Sequence, residues 1–200
     1  MHRQFLFVAL LLTASCASVQ TASQGLPGSA PKQYSRVVVM ATTADLRIKQ
    51  EAESSFVRAA LDVGAVIVPG HALFLPGRAV SDSEILRTLR SHNIDAVLFL
   101  KDGPSAAPRT TTSTSGKASC STSWAGTACD ATSETSTSSR QNEFTLFSEV
   151  VDVASDELTW TATTHLTRIA ATNDQLLAKF AKDVVERLVA GGVLAVHPPQ

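Results

Sequence analysis

Three short apolar runs, each set apart from the next by a helical pattern, constrain this chain more than any other feature. Arg36-Val-Val-Val-Met-Ala41, Ala65-Val-Ile-Val68 and Ala96-Val-Leu-Phe-Leu100 are continuous rather than alternating. Such runs suit strands buried on both faces. Between the first two, Ile48, Ala52, Phe56, Ala59, Ala60 and Val63 recur along one side of a helix, with Lys49, Glu53 and Arg58 largely off that stripe. Thr42 and Asp45 form a capping-box pattern before this helix, and Gly64 offers a left-handed stop after it. Between the second and third runs, Pro69-Gly70 ends the strand and His71 to Val80 reads as a loop around Pro76-Gly77. Ser81-Asp-Ser-Glu84 then caps a short helix whose apolar face is Ile85, Leu86 and Leu89, closed by Asn93. Residues 35–102 therefore read β-α-β-α-β, with parallel strands and right-handed crossovers.

The later chain changes period. Glu143 to Val153 has strand character, and Ser155-Asp156 offers a turn. Leu158, Trp160, Ala162, Thr164 and Leu166 then alternate with Thr159, Thr161, Thr163, His165 and Thr167. That period of two predicts a strand with one buried and one threonine face, paired in an antiparallel hairpin. Thr172 and Gln175 open a last helix, and Leu176, Leu177, Phe180, Ala181, Val184, Val185, Leu188 and Val189 make its continuous stripe before Gly191-Gly192. Val193 to Val196 offers one more edge strand. The expected fold class is α/β: a mixed sheet with a βαβαβ parallel part, an antiparallel hairpin, and a C-terminal amphipathic helix packed on the sheet.

Gly103 to Gln141 is different in kind. About half of it is Ser or Thr, and its large apolar residue is Trp124. It cannot bury a core of its own, so 104–141 is expected to be a mobile insertion or an extended two-stranded arm. Cys120 and Cys129 lie within it. Their spacing excludes CxxC redox chemistry, and zinc would need two further ligands. A disulfide staple around Trp124 is the expected role, stabilising by roughly 2.5–3 kcal/mol through loop closure. Trp124 is a candidate partner contact, as an aromatic anchor.

At the other end, Met1-His2-Arg3 precedes the apolar run Phe5-Leu6-Phe7-Val8-Ala9-Leu10-Leu11-Leu12. That run is too short to cross a bilayer, which takes ~20 residues, and suits a signal-peptide core. Thr13-Ala14-Ser15-Cys16 follows. Ala14, Ser15 and Cys16 resemble the lipobox of bacterial lipoproteins, with Thr13 where that family usually has Leu. The resemblance implies removal of residues 1–15 and acylation of Cys16; ordinary secretion with cleavage near Ala17 is the competing reading. Lipidation of Cys16 leaves Cys120 and Cys129 as an even pair, which an oxidising periplasm would join. Ala17 after the cysteine resembles the outer-membrane-sorted class, implying a cell-envelope location on the periplasmic face of the outer membrane. Residues 16–34, with Pro27-Gly28 and Ala30-Pro31, read as a flexible tether, and 35–197 as a single α/β domain.

The formal net charge of −1 comes without a basic stripe or an aromatic-plus-arginine platform, which argues against nucleic acid as a partner. No phosphate-cradling glycine loop, nucleophile elbow or His-Glu-x-x-His occurs, and His2, His71, His92, His165 and His197 show no ligand spacing. No cofactor, metal or catalytic residue is therefore expected. Open α/β sheets bind ligands beyond their strands' carboxyl ends, where this chain has Thr42, Thr43, Asp45, His71 and Asp102. Of these, His71 alone has no ready structural task.

Across residues 35–190 the element order, with Val150-Val-Asp-Val-Ala-Ser-Asp-Glu-Leu-Thr-Trp160 in its hairpin, is similar to small envelope lipoproteins such as penicillin-binding-protein activators and the amino-terminal domain of the TolB protein. That resemblance implies a noncatalytic module, anchored in the lipid bilayer through Cys16, that docks other envelope proteins and assembles or regulates a complex. The alternatives are a periplasmic small-ligand-binding or enzymatic domain using the rim around His71, and a structural envelope spacer.

Overall fold

The computed structural model describes residues 17–26, 32–75, 80–103, 109–111, 114–123, 126–135, 139–168 and 172–197. In chain order these form β1 (Ala17–Gly25), β2 (Val37–Ala41), α1 (Leu46–Asp62), β3 (Ile67–Pro69), α2 (Gly70–Leu73), α3 (Asp82–Ser91), β4 (Ala96–Asp102), β5 (Arg109–Thr111), β6 (Thr114–Ser123), β7 (Gly126–Thr135), β8 (Ser139–Asp152), β9 (Leu158–Arg168) and α4 (Asn173–Ala190). The main sheet runs β1-β9-β8-β4-β2-β3, with β5 pairing the outer stretch of β8. β2 lies between β3 and β4 and is parallel to both, while β4-β8, β8-β9 and β9-β1 are antiparallel. The expected fold class is the observed one.

Two apolar cores explain the two sequence periods. Val37 and Val39 pack with Phe56, Leu98, Trp160, Phe180 and Val184 beneath α1 and α4, whose Phe56 and Phe180 rings meet edge to face at 5.4 Å. On the other side of the sheet, Val38 and Val97 join Leu89, Ile94 and Val153, with Leu73, Phe74, Ile85 and Leu86 packed around them. β2 and β4 are covered on both faces and so read as unbroken apolar runs. β9 is covered on one: Trp160, Ala162, Thr164 and Leu166 are buried, whereas Thr161, Thr163, His165 and Thr167 are partly or fully exposed. A register shift between Val150 and Val151 breaks the pattern at Leu158, which is exposed.

The helix ends follow the local chemistry closely. Ser81 caps α3, and Thr172 with Gln175 completes a reciprocal capping box on α4. α1 differs from expectation: Asp45 is itself the cap, accepting from the backbone N–H groups of Arg47 and Ile48, and the Thr42 hydroxyl donates instead to the Leu100 carbonyl. Asn93 and Gly64 both take the left-handed conformation. At Gly64 a side chain would also strike the His197 carbonyl, because Cβ would lie 2.6 Å from it.

Three expectations need correction. Residues 16–34 are not a flexible tether throughout: Ala17 to Gly25 pair in continuous register with β9, satisfying their backbone groups on one side. The domain's sheet thus begins at Ala17, not at residue 35. His71 to Val80 is not wholly a loop, since Gly70–Leu73 makes a helical turn with Leu73 and Phe74 in the second core. Val193 to Val196 adds no strand; a single parallel bridge joins Leu194 to Tyr34. Within the insertion, β6 and β7 form an antiparallel pair, the extended one of the two forms expected for it.

Candidate functional site at the strand-end rim

The carboxyl ends of β2, β3 and β4 define one end of the domain. α1 and α4 begin at this end, β1 starts there with Ala17 opposite Arg168, and the insertion leaves from β4 and returns through β8. The sheet's open end, the chain entering from Cys16 and the root of the arm therefore coincide. Cys16 itself lies outside the described residues.

His71 stands at this rim, and its partner is one that the sequence reading placed off the buried stripe. Glu53 on α1 is wholly buried. One carboxylate oxygen accepts from the Ala41 backbone N–H at 3.1 Å. The other accepts from the His71 backbone N–H at 2.8 Å and from its Nδ1 at 2.6 Å. The contact occupies Nδ1 and leaves Nε2 as the ring's second nitrogen. Gly70 permits this approach: a Cβ there would lie 2.9 Å from the Val39 carbonyl. Glu53 shares a helix face with Phe56 and Ala60, three and seven residues on, and that spacing was the signal available in the sequence. The pair is the carboxylate–imidazole half of an acid–base arrangement. Among the described residues, no hydroxyl or thiol is hydrogen-bonded to the ring as a third member, and no group of three or more His, Cys, Asp or Glu could hold a metal.

At the same end of the domain, between the starts of α1 and α4 and the strands β8 and β9, lies a groove of about 500 Å³. Its apolar walls are Ile48, Phe144, Leu146, Leu166, Leu176 and Leu177, with Thr43, Asp102, Thr145 and Asn173 as polar residues. The rim residues thus divide. Thr43 and Asp102 come together at the groove, His71 pairs with Glu53 away from it, and Thr42 and Asp45 serve backbone ends.

At the opposite end, Asp152 explains the Asp–turn–Trp pattern of the hairpin. It is buried, and one oxygen accepts from the Ala154 and Ser155 backbone N–H groups at 2.9 and 2.8 Å while the other meets the Lys32 ammonium. Burial pushes its pKa up, but Lys32, the two N–H groups and the Tyr34 hydroxyl outweigh this and hold it at about 2. Lys32 is raised by its bond to Asp152, and Tyr34 is raised chiefly by burial. A cavity of about 470 Å³ opens nearby, lined by Lys32, Trp160 and Arg187 among others.

Two further features concern partners. In the β6–β7 ladder Cys120 is directly opposite Cys129, while Trp124 lies outside the described residues. β1 is the last strand of the sheet, and nothing among the described residues pairs with its outer edge. Among the described residues, no helix is long and apolar enough to cross a membrane.

No protein-family model matches the chain, and no curated protein sequence matches it. Among solved structures it is similar to the PelC dodecamer from Paraburkholderia phytofirmans, at 16% identity over 89% of this chain and 99% of that one, with a TM-score of 0.48. It is also similar to the lipoprotein GNA1162 from Neisseria meningitidis, at 12% identity over 78% of this chain and 99% of that one, with a TM-score of 0.43.

Proposed function

We propose that this chain is a membrane-anchored lipoprotein of the bacterial cell envelope, held through acylated Cys16, whose domain is a noncatalytic interaction module that assembles or regulates an envelope complex. Its partners are other envelope proteins, and its place is the periplasmic face of the outer membrane. The observation that carries the reading is the open edge of β1. Ala17-Ser-Val-Gln-Thr-Ala-Ser-Gln-Gly25 has no charge, no proline and no bulge, and it ends the sheet. Sheets that stay alone usually protect such an edge with those devices. An extended segment of a partner adds to it through main-chain hydrogen bonds. Anchoring at the preceding residue raises the effective concentration of this edge for anything else held at the same membrane.

The test has two parts. Intact mass of the membrane-extracted protein should show the chain from Cys16 plus diacylglycerol, lost in Cys16→Ala. A photo-crosslinker at Gln24 should then capture one defined envelope protein, and Ala22→Lys with Ser23→Pro should abolish capture without lowering the melting temperature by more than a few degrees. A lipid-free chain, or crosslinking indifferent to these changes, overturns the reading.

A second reading, a small-ligand-binding or enzymatic domain at the rim, is favoured by one observation, the Glu53–His71 pair. It predicts a saturable metabolite whose binding is lost in His71→Ala. Failure of every soaked ligand to move the melt counts against it.

A further inference from the structure

We propose that the strand-end groove holds one of the acyl chains carried on Cys16; the inference rests on the lipid-anchor reading above. The first ground is position. In the β1–β9 register Val19 is opposite Leu166, and Leu166 is itself a wall of the groove. Cys16 is three positions before Val19, with Ala17 and Ser18 of β1 between them, and three steps at the strand rise cover about 10 Å of chain. A long-chain acyl group spans that distance. The comparable cavity at the other end of the sheet is lined by Lys32 and Arg187 and lies at the far end of β1, where Gly25 is opposite Trp160.

The second ground is chemistry. Six apolar side chains from four elements, α1, β8, β9 and α4, form the walls, and Phe144 is 38% exposed at the strand end. An apolar chain laid there would take that surface out of water. Charge then selects the form of the chain. Asp102 is the charged residue among those lining the groove. Its carboxylate repels the carboxylate of a free fatty acid, whereas a chain linked to Cys16 by amide or ester has no such charge.

A chain in this groove gives the anchor a second point of attachment. It holds the strand-end rim and the root of the arm against the bilayer while the remaining chains insert, so the domain has a fixed orientation rather than a free swivel at Cys16. The face turned away carries Asp152 and Lys32.

The experiment uses the full mature lipoprotein with a photo-crosslinker at Leu177, and a control at Lys179 on the same helix. Irradiation should join the α4 peptide to the N-terminal lipopeptide of the same molecule from the Leu177 position and not from the control. A crosslink from Leu177 only to bilayer phospholipid, or none, overturns the proposal. If intact mass shows no lipid on Cys16, the anchor reading itself has failed, and the two failures are told apart by that mass. As a second measurement, the unlipidated Cys16→Ser chain is titrated with neutral monopalmitoylglycerol and with palmitate. Saturable binding of the neutral probe, at least tenfold tighter than palmitate and lost in Phe144→Asp with an unchanged melt, is expected. Equal, non-saturable partitioning of both overturns the site.

Discussion

The buried carboxylate of Glu53 accepts two hydrogen bonds from His71, one from Nδ1 at 2.6 Å and one from the backbone N–H at 2.8 Å, while its other oxygen holds the Ala41 N–H. A single side chain of α1 thus joins the end of β2 to the start of α2. Because this carboxylate has no exposure to water, its donors have no substitute partner. Glu53→Gln keeps the shape but turns an amide N–H₂ toward N–H donors, and should cost about 3 kcal/mol. His71→Ala keeps both backbone bonds and should cost about 1.5 kcal/mol. Urea denaturation of the two variants checks the order. A larger loss in His71→Ala would mean that the imidazole, not the carboxylate, is the hub.

Asp152 sets an acid limb of stability. Its folded pKa of about 2 lies below its ordinary value of 3.8, so the folded state binds a proton less readily than the unfolded one. The stabilisation is therefore fully present above the ordinary carboxylate range and is lost as pH falls through about 2. At about 1.4 kcal/mol per unit this amounts to roughly 2 kcal/mol. Denaturation midpoints measured from pH 6 to pH 2 should show the loss in the natural chain. In Asp152→Asn that part of the slope should vanish, with lower stability at pH 6. Parallel slopes in the two proteins would remove Asp152 from the account.

Thr21 and Thr164 share a buried hydrogen bond at 2.9 Å between β1 and β9. Either valine substitution leaves one hydroxyl buried without its partner and should cost about 1–2 kcal/mol, whereas the double substitution should cost less than the sum. A double-mutant cycle on urea midpoints reads the coupling. An additive result would mean that β1 is held by its backbone ladder alone.

For Cys120 and Cys129, direct opposition in the ladder is the arrangement a cross-strand bridge needs. The expected outcome is that a reductant frees two thiols per lipidated chain and leaves the melting of the main domain within about 2 °C, because the β6–β7 sheet is separate from the main one. Thiol titration beside calorimetry tests this. A drop of ten degrees would make the bridge integral to the domain.

Local chemistry determined the parallel half of this protein. Continuous valine runs, capping side chains and the alternation along β9 each act within a few residues, so they are legible wherever they occur. Residues 17–25 lack such a pattern. Their strand exists because β9 offers a ladder of unpaired backbone groups, and because Val19 and Thr21 meet Leu166 and Thr164 across it. Glu53 fell off the apolar stripe in sequence, and its burial rests on donors from Ala41 and His71, 12 and 18 residues away in the chain. Likewise, no short-range rule brings Thr43, Asp102 and Leu176 around one groove, or sets Val19 opposite its wall residue Leu166. Hydrogen bonds and contacts between distant segments decided those features, and only the folded chain brings those segments together.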